Sequence, residues 1–223
     1  MDEFKKIVQT ISPLVGDAGV SIEVFSDEKT KAQEMFSQGQ EMFSWFPNAY
    51  IKYPCTAEGL RAAEMSVKQG VRVNITLCFS QQQAAAVYAA TKGTKEPAYV
   101  SPFVGRLDDI GQNGMGVVRN IKRMFPEGDG HVLVLAASIR SLEHLLYCFA
   151  IETELATVPA KILEQWASKN FPMPDKQFQY KSPGKPIPYE ELDLETFYIQ
   201  HELTRKALRN SPLMIVQHSP RPA

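Results

Sequence analysis

The sequence has little excess charge and no long apolar run. Lys and Arg total 24 against 25 for Asp and Glu, which leaves a formal net charge of -1. Such a balance provides no positive field to attract nucleic acid or an anionic membrane surface. No apolar run is long enough to cross a bilayer, and the N-terminus lacks the apolar core of a signal peptide. These absences favour a cytoplasmic protein that acts on a small molecule.

Cysteine and histidine are also sparse and show no ligand spacing. Cys55, Cys78 and Cys148 are an odd number without a CxxC pair, which favours reduced thiols over a disulfide framework or a zinc site. The histidines are scattered along the chain, so we expect no metal site.

Short β-branched runs do alternate with longer helical segments, which is typical of repeated βα units around a parallel sheet. A helix is expected over 2–16. The predicted strands are 19–24, 50–54, 73–79, 99–104, 131–137 and 155–159. The predicted helices between and after them are 27–45, 56–69, 80–92, 113–125, 141–150 and 160–168, with N-caps at Thr56, Ser80 and Ser141. We therefore expect a single α/β domain over residues 1–223.

The C-terminal part of the chain breaks this alternation. Prolines and lysines are frequent in residues 171–188, which predicts a surface excursion outside regular elements. A last helix is expected at about 190–209, lying across the fold. Residues 210–223 contain three prolines and are expected to be a mobile tail.

Several predicted strands contain polar residues where a covered strand should be apolar. These residues are Glu23, Lys52, Asn74, Thr76 and Ser101. Side chains at the carboxyl ends of parallel barrel strands meet on the face where active sites are built. A purely structural ion pair between Glu23 and Lys52 is the simpler alternative, but it leaves six further polar residues unexplained, namely Asn74, Thr76, Ser101, Arg106, Ser138 and Arg140. We therefore favour a functional polar cluster.

Lys52 has the most distinctive chemistry of this group. Its neighbours Ile51 and Tyr53 would desolvate an ammonium group, which favours the free amine that can attack a carbonyl carbon. Glu23 and Thr76 offer the acceptor and the donor needed to hold the water that a carbinolamine gains and loses.

Charged residues also follow two later strands. Arg106 and Arg140 together suit a phosphate ester, although a lone arginine after a strand is more often a solvated surface residue. Asp108 and Asp109 are expected to be loop or helix-capping residues.

The segment around Lys52 resembles the transaldolase family. That family's Schiff-base strand reads roughly I/V-K-I/V-P-x-T-x-E-G-L-x-A, followed after a helix by G-I-x-x-N-x-T-L-x-F-S-x-x-Q-A. This chain has IKYPCTAEGLRA and, after the helix, GVRVNITLCFSQQQA. The later segments YVSPFVGRLDDIG, VLAASIRS, LATVPAKILEQ and YIQHELTRKAL are similar to further family segments in the same order. The likeness runs from about Val20 to Leu208.

The resemblance implies a (β/α)₈ TIM barrel, with about six of its eight βα units in this chain. It also implies a class I mechanism of the pentose phosphate pathway, with sugar-phosphate substrates and neither metal nor organic cofactor. Lys52 would form the Schiff base, and Glu23 and Thr76 would position the catalytic water. The implied substrate-binding residues are Asn74 and Ser101 for the dihydroxyacetone hydroxyls, Phe103, and Arg106, Ser138 and Arg140 for the phosphate. Glu23, Asn74 and Phe103 favour transaldolases over fructose-6-phosphate aldolases.

The chain departs from the family pattern at its N-terminus. The Asp that moves protons and the Asn of a TNPS-type motif, both from two preceding βα units, have no counterpart. We therefore expect weak or no turnover by this chain alone, and open barrel edges through which it could self-associate. An aldolase that releases free dihydroxyacetone and a non-catalytic sugar-phosphate binder are the alternatives.

Overall fold

The computed structural model describes residues 2–16, 18–175, 177–192, 194 and 197–210. Its strands form one parallel sheet in chain order: β1 Val20–Glu23, β2 Ala49–Pro54, β3 Val73–Cys78, β4 Ala98–Pro102, β5 Val132–Ala136 and β6 Leu155–Ala156. The α-helices are α1 Asp2–Ile11, α2 Ala32–Phe43, α3 Ala57–Lys68, α4 Gln81–Ala90, α5 Val104–Asp108, α6 Gly114–Met124, α7 Leu142–Ala150, α8 Ala160–Ser168 and α9 Glu202–Asn210.

Two contacts that skip a strand show that the sheet is curved. Asn74 of β3 donates from Nδ2 to the Ser21 hydroxyl of β1 at 3.0 Å. Tyr50 of β2 stacks on Tyr99 of β4 with ring centroids 4.2 Å apart. Strands one place removed lie about 10 Å apart in a flat sheet, so these side chains meet on a concave face. The molecule is a curled part of a (β/α)₈ barrel, and the predicted fold class is confirmed.

The convex face of the sheet carries the apolar core. Ile51, Tyr53 and Ile75 alternate with the polar residues and are completely buried, as the two-residue period of a strand requires. Helix α2 packs tightly here, since a Cβ on Gly39 would lie only 2.0 Å from the Tyr53 hydroxyl oxygen. That hydroxyl is 2.8 Å from Ser66 Oγ of α3, and burial raises the pKa of Tyr53 to about 12.

The predicted strands and helix caps agree with the structure. All six strands are present, although the sixth is shortened to two residues before Pro159 at the N-cap of α8. The Thr56, Ser80 and Ser141 side chains accept hydrogen bonds from backbone N–H groups at 3.0, 3.1 and 3.2 Å respectively. The Thr56 and Ser80 caps lie two residues after β2 and β3 end, and the Ser141 cap lies five residues after β5 ends.

The predicted helix over 190–209 is wrong in its first half. Helix α9 begins only at Glu202, and the described residues from 190 to 201 are not helical. The Gln81 side chain donates to the Glu190 carbonyl at 2.6 Å and accepts from its N–H at 3.1 Å. Gln82 Oε1 accepts from the Tyr198 N–H at 2.7 Å. These long-range bonds satisfy backbone groups that a helix would have used.

The Pro-rich segment is attached to the rim of the barrel. Lys185 forms a parallel bridge with Gln112, and Asn120 of α6 donates to the Ile187 and Pro188 carbonyls at 3.2 and 2.9 Å. The predicted tail lies outside the described residues from position 211 onward. Among the described helices, none combines the length and the apolar character needed to span a bilayer.

Candidate active site

Lys52 lies near the carboxyl end of β2, in register with Glu23 of β1. Its Nζ is 2.9 Å from Glu23 Oε2, and the Lys52 side chain is 23% exposed against 42% for Glu23. The Lys52 side chain is therefore partly buried. A lysine amine must lose a proton before it can act as a nucleophile, and Glu23 is a proton acceptor within direct reach.

Asn74 is held rigidly beside this pair. It is in register with Lys52 on the neighbouring strand β3 and is almost completely buried. The Ser101 hydroxyl donates to Asn74 Oδ1 at 2.7 Å, while Asn74 Nδ2 donates to Ser21 Oγ at 3.0 Å. Two serines on opposite sides thus hold the amide in place between β1 and β4.

Thr76 has a buried hydroxyl without a hydrogen-bond partner in the described part of the chain. It lies two residues after Asn74, on the same face of β3. An unsatisfied buried hydroxyl costs about 1–3 kcal/mol, so its presence calls for an explanation such as a bound water or ligand. The next residue, Leu77, has a φ of 58° within a shift of the strand register, and such irregularities are common beside active sites.

A second polar group follows β4 and β5. The Gly105 N–H donates to the Ser138 carbonyl at 3.0 Å, and Ser138 has a φ of 59°. A Cβ on Gly105 would lie 2.3 Å from Arg140 Nε, so only glycine lets the arginine stem pass this close. Arg106 is exposed on α5. The structure therefore brings Ser138 and Arg140 together, next to the short helix that carries Arg106.

Asp109 binds the Arg140 guanidinium with both carboxylate oxygens. Arg140 Nη2 donates to Asp109 Oδ2 at 2.8 Å, and Nη1 donates to Oδ1. Hydrogen bonding to Arg140 holds the pKa of Asp109 below its usual value, and the charge of Arg106 contributes to this. Asp108 has a different role, because it accepts from the Gly114 N–H at 3.0 Å at the start of α6.

Phe103 links the mouth of the barrel to the C-terminal helix. Its ring packs edge-on against Phe79 at 5.8 Å, and Phe79 stacks on His201 at 5.3 Å. The Thr204 hydroxyl of α9 donates to the Leu77 carbonyl at 3.0 Å. Helix α9 is therefore fastened over the carboxyl end of β3.

Comparison with known proteins agrees with this geometry. The family described as transaldolase/fructose-6-phosphate aldolase matches residues 3–206. The chain belongs to this family. A protein named probable transaldolase from Roseiflexus castenholzii is 39% identical over 173 residues, which are 78% of this chain and 75% of the relative. A probable transaldolase from Moorella thermoacetica is 42% identical over 164 residues, 73% of this chain and 71% of the relative.

The polar cluster around Lys52 in this transaldolase/aldolase family member also includes Ser21, which the sequence analysis did not predict as a site residue. Ser21 lies two positions before Glu23, and the two-residue period of a strand places both on the same face. The two-residue alternation along β1 could therefore have predicted that Ser21 lies in the same cluster as Glu23. The pairing of Asp109 with Arg140 had no such signal, because the two residues are 31 positions apart.

Proposed function

We propose that the chain is a transaldolase-type enzyme of the pentose phosphate pathway. It would transfer a dihydroxyacetone unit between sugar phosphates through a Schiff base on Lys52. The observation that carries this proposal is the partly buried Lys52 side chain, whose amine lies 2.9 Å from the Glu23 carboxylate at the strand ends where parallel barrels build active sites. Membership of a family of transaldolases and aldolases supports the same chemistry.

The proposed first step is the condensation of the amine with a ketose phosphate. The uncharged Lys52 Nζ attacks the ketone carbon and gives a carbinolamine, which loses water to form an iminium ion. A water held between Glu23 and the free Thr76 hydroxyl would move the protons in this step. The C4 hydroxyl then gives its proton to the water held by Glu23, the C3–C4 bond breaks, its electrons move to the iminium to form an enamine, and an aldose phosphate leaves. The dihydroxyacetone unit stays on Lys52 until an acceptor aldose phosphate takes it.

The neighbouring polar residues have separate binding roles in this proposal. Asn74 and Ser101 would bind the dihydroxyacetone hydroxyls beside the Schiff base, and Phe103 would close the pocket next to them. Arg106, Ser138 and Arg140 would bind the phosphate, since arginine donors match phosphate oxygens in charge and geometry. A structural ion pair alone would need neither a clamped amide nor an unpartnered hydroxyl.

Borohydride trapping tests the proposal directly. The intact chain is incubated with fructose 6-phosphate, reduced, digested and mapped by mass spectrometry. We expect one reduced adduct on the peptide that contains Lys52 and none on exposed lysines such as Lys68. This readout needs only imine formation and not the complete transfer cycle. An unmodified Lys52 after reduction would refute the Schiff-base proposal.

An aldolase that releases free dihydroxyacetone is the second candidate, because the matched family includes both activities. The two differ in their need for an acceptor. Dihydroxyacetone formed from fructose 6-phosphate without an added aldose phosphate would favour the aldolase, and product formed only with an acceptor would favour transfer.

Replacing Ser21 with alanine should loosen the Asn74 amide. The variant loses the hydrogen bond that Asn74 Nδ2 donates at 3.0 Å, and a lost neutral hydrogen bond is worth about 1 kcal/mol, or roughly fivefold in a rate. We expect trapping at subsaturating substrate to slow by about that factor. The Ser21→Thr variant keeps the hydroxyl and should recover most of the rate. Equal rates for the native chain and Ser21→Ala would show that the Ser21 bond is not used.

A further inference from the structure

The bond between Asp109 and Arg140 has the geometry that a phosphate would adopt. Both guanidinium Nη atoms donate to the two carboxylate oxygens, and a phosphate group is bound by arginine through the same fork. The Arg140 stem passes close to the Gly105 backbone, where an added Cβ would lie 2.6 Å from Arg140 Cδ, so its guanidinium lies beside α5 and binds Asp109 there.

We propose that Asp109 is a specificity-determining residue that occupies the place of the substrate phosphate until the substrate displaces it. The inference rests on the proposed function, since it concerns the phosphate end of the same site. The charge of Arg106 contributes to the lowered pKa of Asp109, and Arg106 lies on α5, three residues before Asp109. Both partners of the bond are about half exposed, at 46% for Arg140 and 50% for Asp109, which leaves an incoming anion free to reach them.

Competition of this kind selects among ligands by charge. A phosphate dianion brings more charge and more acceptor oxygens than one carboxylate, so it can replace Asp109 on Arg140 and also attract Arg106. A neutral sugar or a monocarboxylate gains too little to do so. Asp109 would therefore exclude unphosphorylated sugars and small carboxylic acids from the site. Without Asp109, Arg106 and Arg140 would be free to bind such ligands.

Calorimetric titration of inorganic phosphate into the intact chain tests this inference. We expect Asp109→Asn to bind phosphate about two- to fivefold more tightly, the range expected from removing one half-exposed ion pair. Acetate should gain measurable binding in the same variant. The matched control is Glu64→Gln, which removes one negative charge from a 2.7 Å ion pair with Lys68 in which Glu64 is 52% exposed. This control should bind phosphate as the native chain does.

The results separate the inference from the proposed function. Equal phosphate affinity in Asp109→Asn and Glu64→Gln would overturn it, and weaker binding in Asp109→Asn would show that Asp109 orders Arg140 instead of competing with the ligand. An absence of phosphate binding in every form would overturn the inference together with the phosphate site. In that case trapping of Lys52 with unphosphorylated fructose would still show whether the Schiff base forms.

Discussion

Replacing Lys52 with methionine should abolish the borohydride-trapped adduct and lower any sugar-phosphate turnover by at least about a thousandfold, as expected when a covalent nucleophile is removed. Methionine has a similar length and removes only the amine. The fold should survive, because the Glu23 side chain is 42% exposed and keeps its contact with water when its partner is lost. Near-native circular dichroism with no trapped adduct is the expected pair of measurements.

Lys122→Met is the matched control for this variant. Lys122 is also 23% exposed and also pairs with a glutamate, Glu154, but it lies on α6. If losing a partly buried lysine ion pair were enough to prevent trapping, both variants would lose the adduct. If Lys52 is the nucleophile, only Lys52→Met loses it. We expect Lys122→Met to retain the full adduct on Lys52. A trapped adduct in Lys52→Met at another lysine would assign the nucleophile elsewhere.

The surroundings of Lys52 argue against a purely structural ion pair. A buried or partly buried pair is stable when its remaining polar neighbours are satisfied. The Thr76 hydroxyl is instead left without a partner among the described residues, as are the Trp45 indole N–H and the Thr153 hydroxyl, and the buried Asn74 amide is held between two serines. Native proteins retain such costs mainly where a ligand or water is to be bound. A substrate bound here, as proposed above, would supply a partner for the Thr76 hydroxyl.

Local patterns were sufficient to predict the strands and the starts of α3, α4 and α7. The Thr56, Ser80 and Ser141 caps act within three residues along the chain, and the alternation of strand residues depends on immediate neighbours. The same alternation predicted which side chains of β1 to β4 share a face. The placement of Lys52 beside Glu23 then followed from the parallel order of adjacent strands.

The parts that could not be predicted depend on distant contacts. The sequence from 190 to 201 has helical character, but its backbone is bound by glutamines more than 100 positions earlier. The short helix α5 also went unpredicted, as it has only five residues and lies where the strand pattern ends. No local periodicity or helix cap predicts the non-helical 190–201 segment or the short helix α5. Both depend on how the strand ends pack against the C-terminal part of the chain.

Replacing Gly114 with alanine should destabilise the protein by about 2–3 kcal/mol, at the upper end of the usual cost of overpacking. An added Cβ would lie 2.2 Å from the Val104 carbonyl oxygen and 2.8 Å from its Cα. These are backbone atoms at the start of α5, so relief would require moving the helix that carries Arg106. The melting temperature should fall by about 5–10 °C, measured alongside urea unfolding at 25 °C.

Gly116→Ala is the control that separates the steric clash from the change in helix propensity. Gly116 lies in the first turn of the same helix α6, so both variants replace glycine with alanine in the same turn. Its added Cβ would have no described neighbour nearer than 3.6 Å, so alanine should be neutral or stabilise by up to about 1 kcal/mol through reduced backbone entropy in the unfolded chain. Equal stability of the two variants would mean that α5 can shift freely. Since Gly105 and Arg106 lie on α5, such freedom would also make a preformed phosphate site at Ser138 and Arg140 untenable.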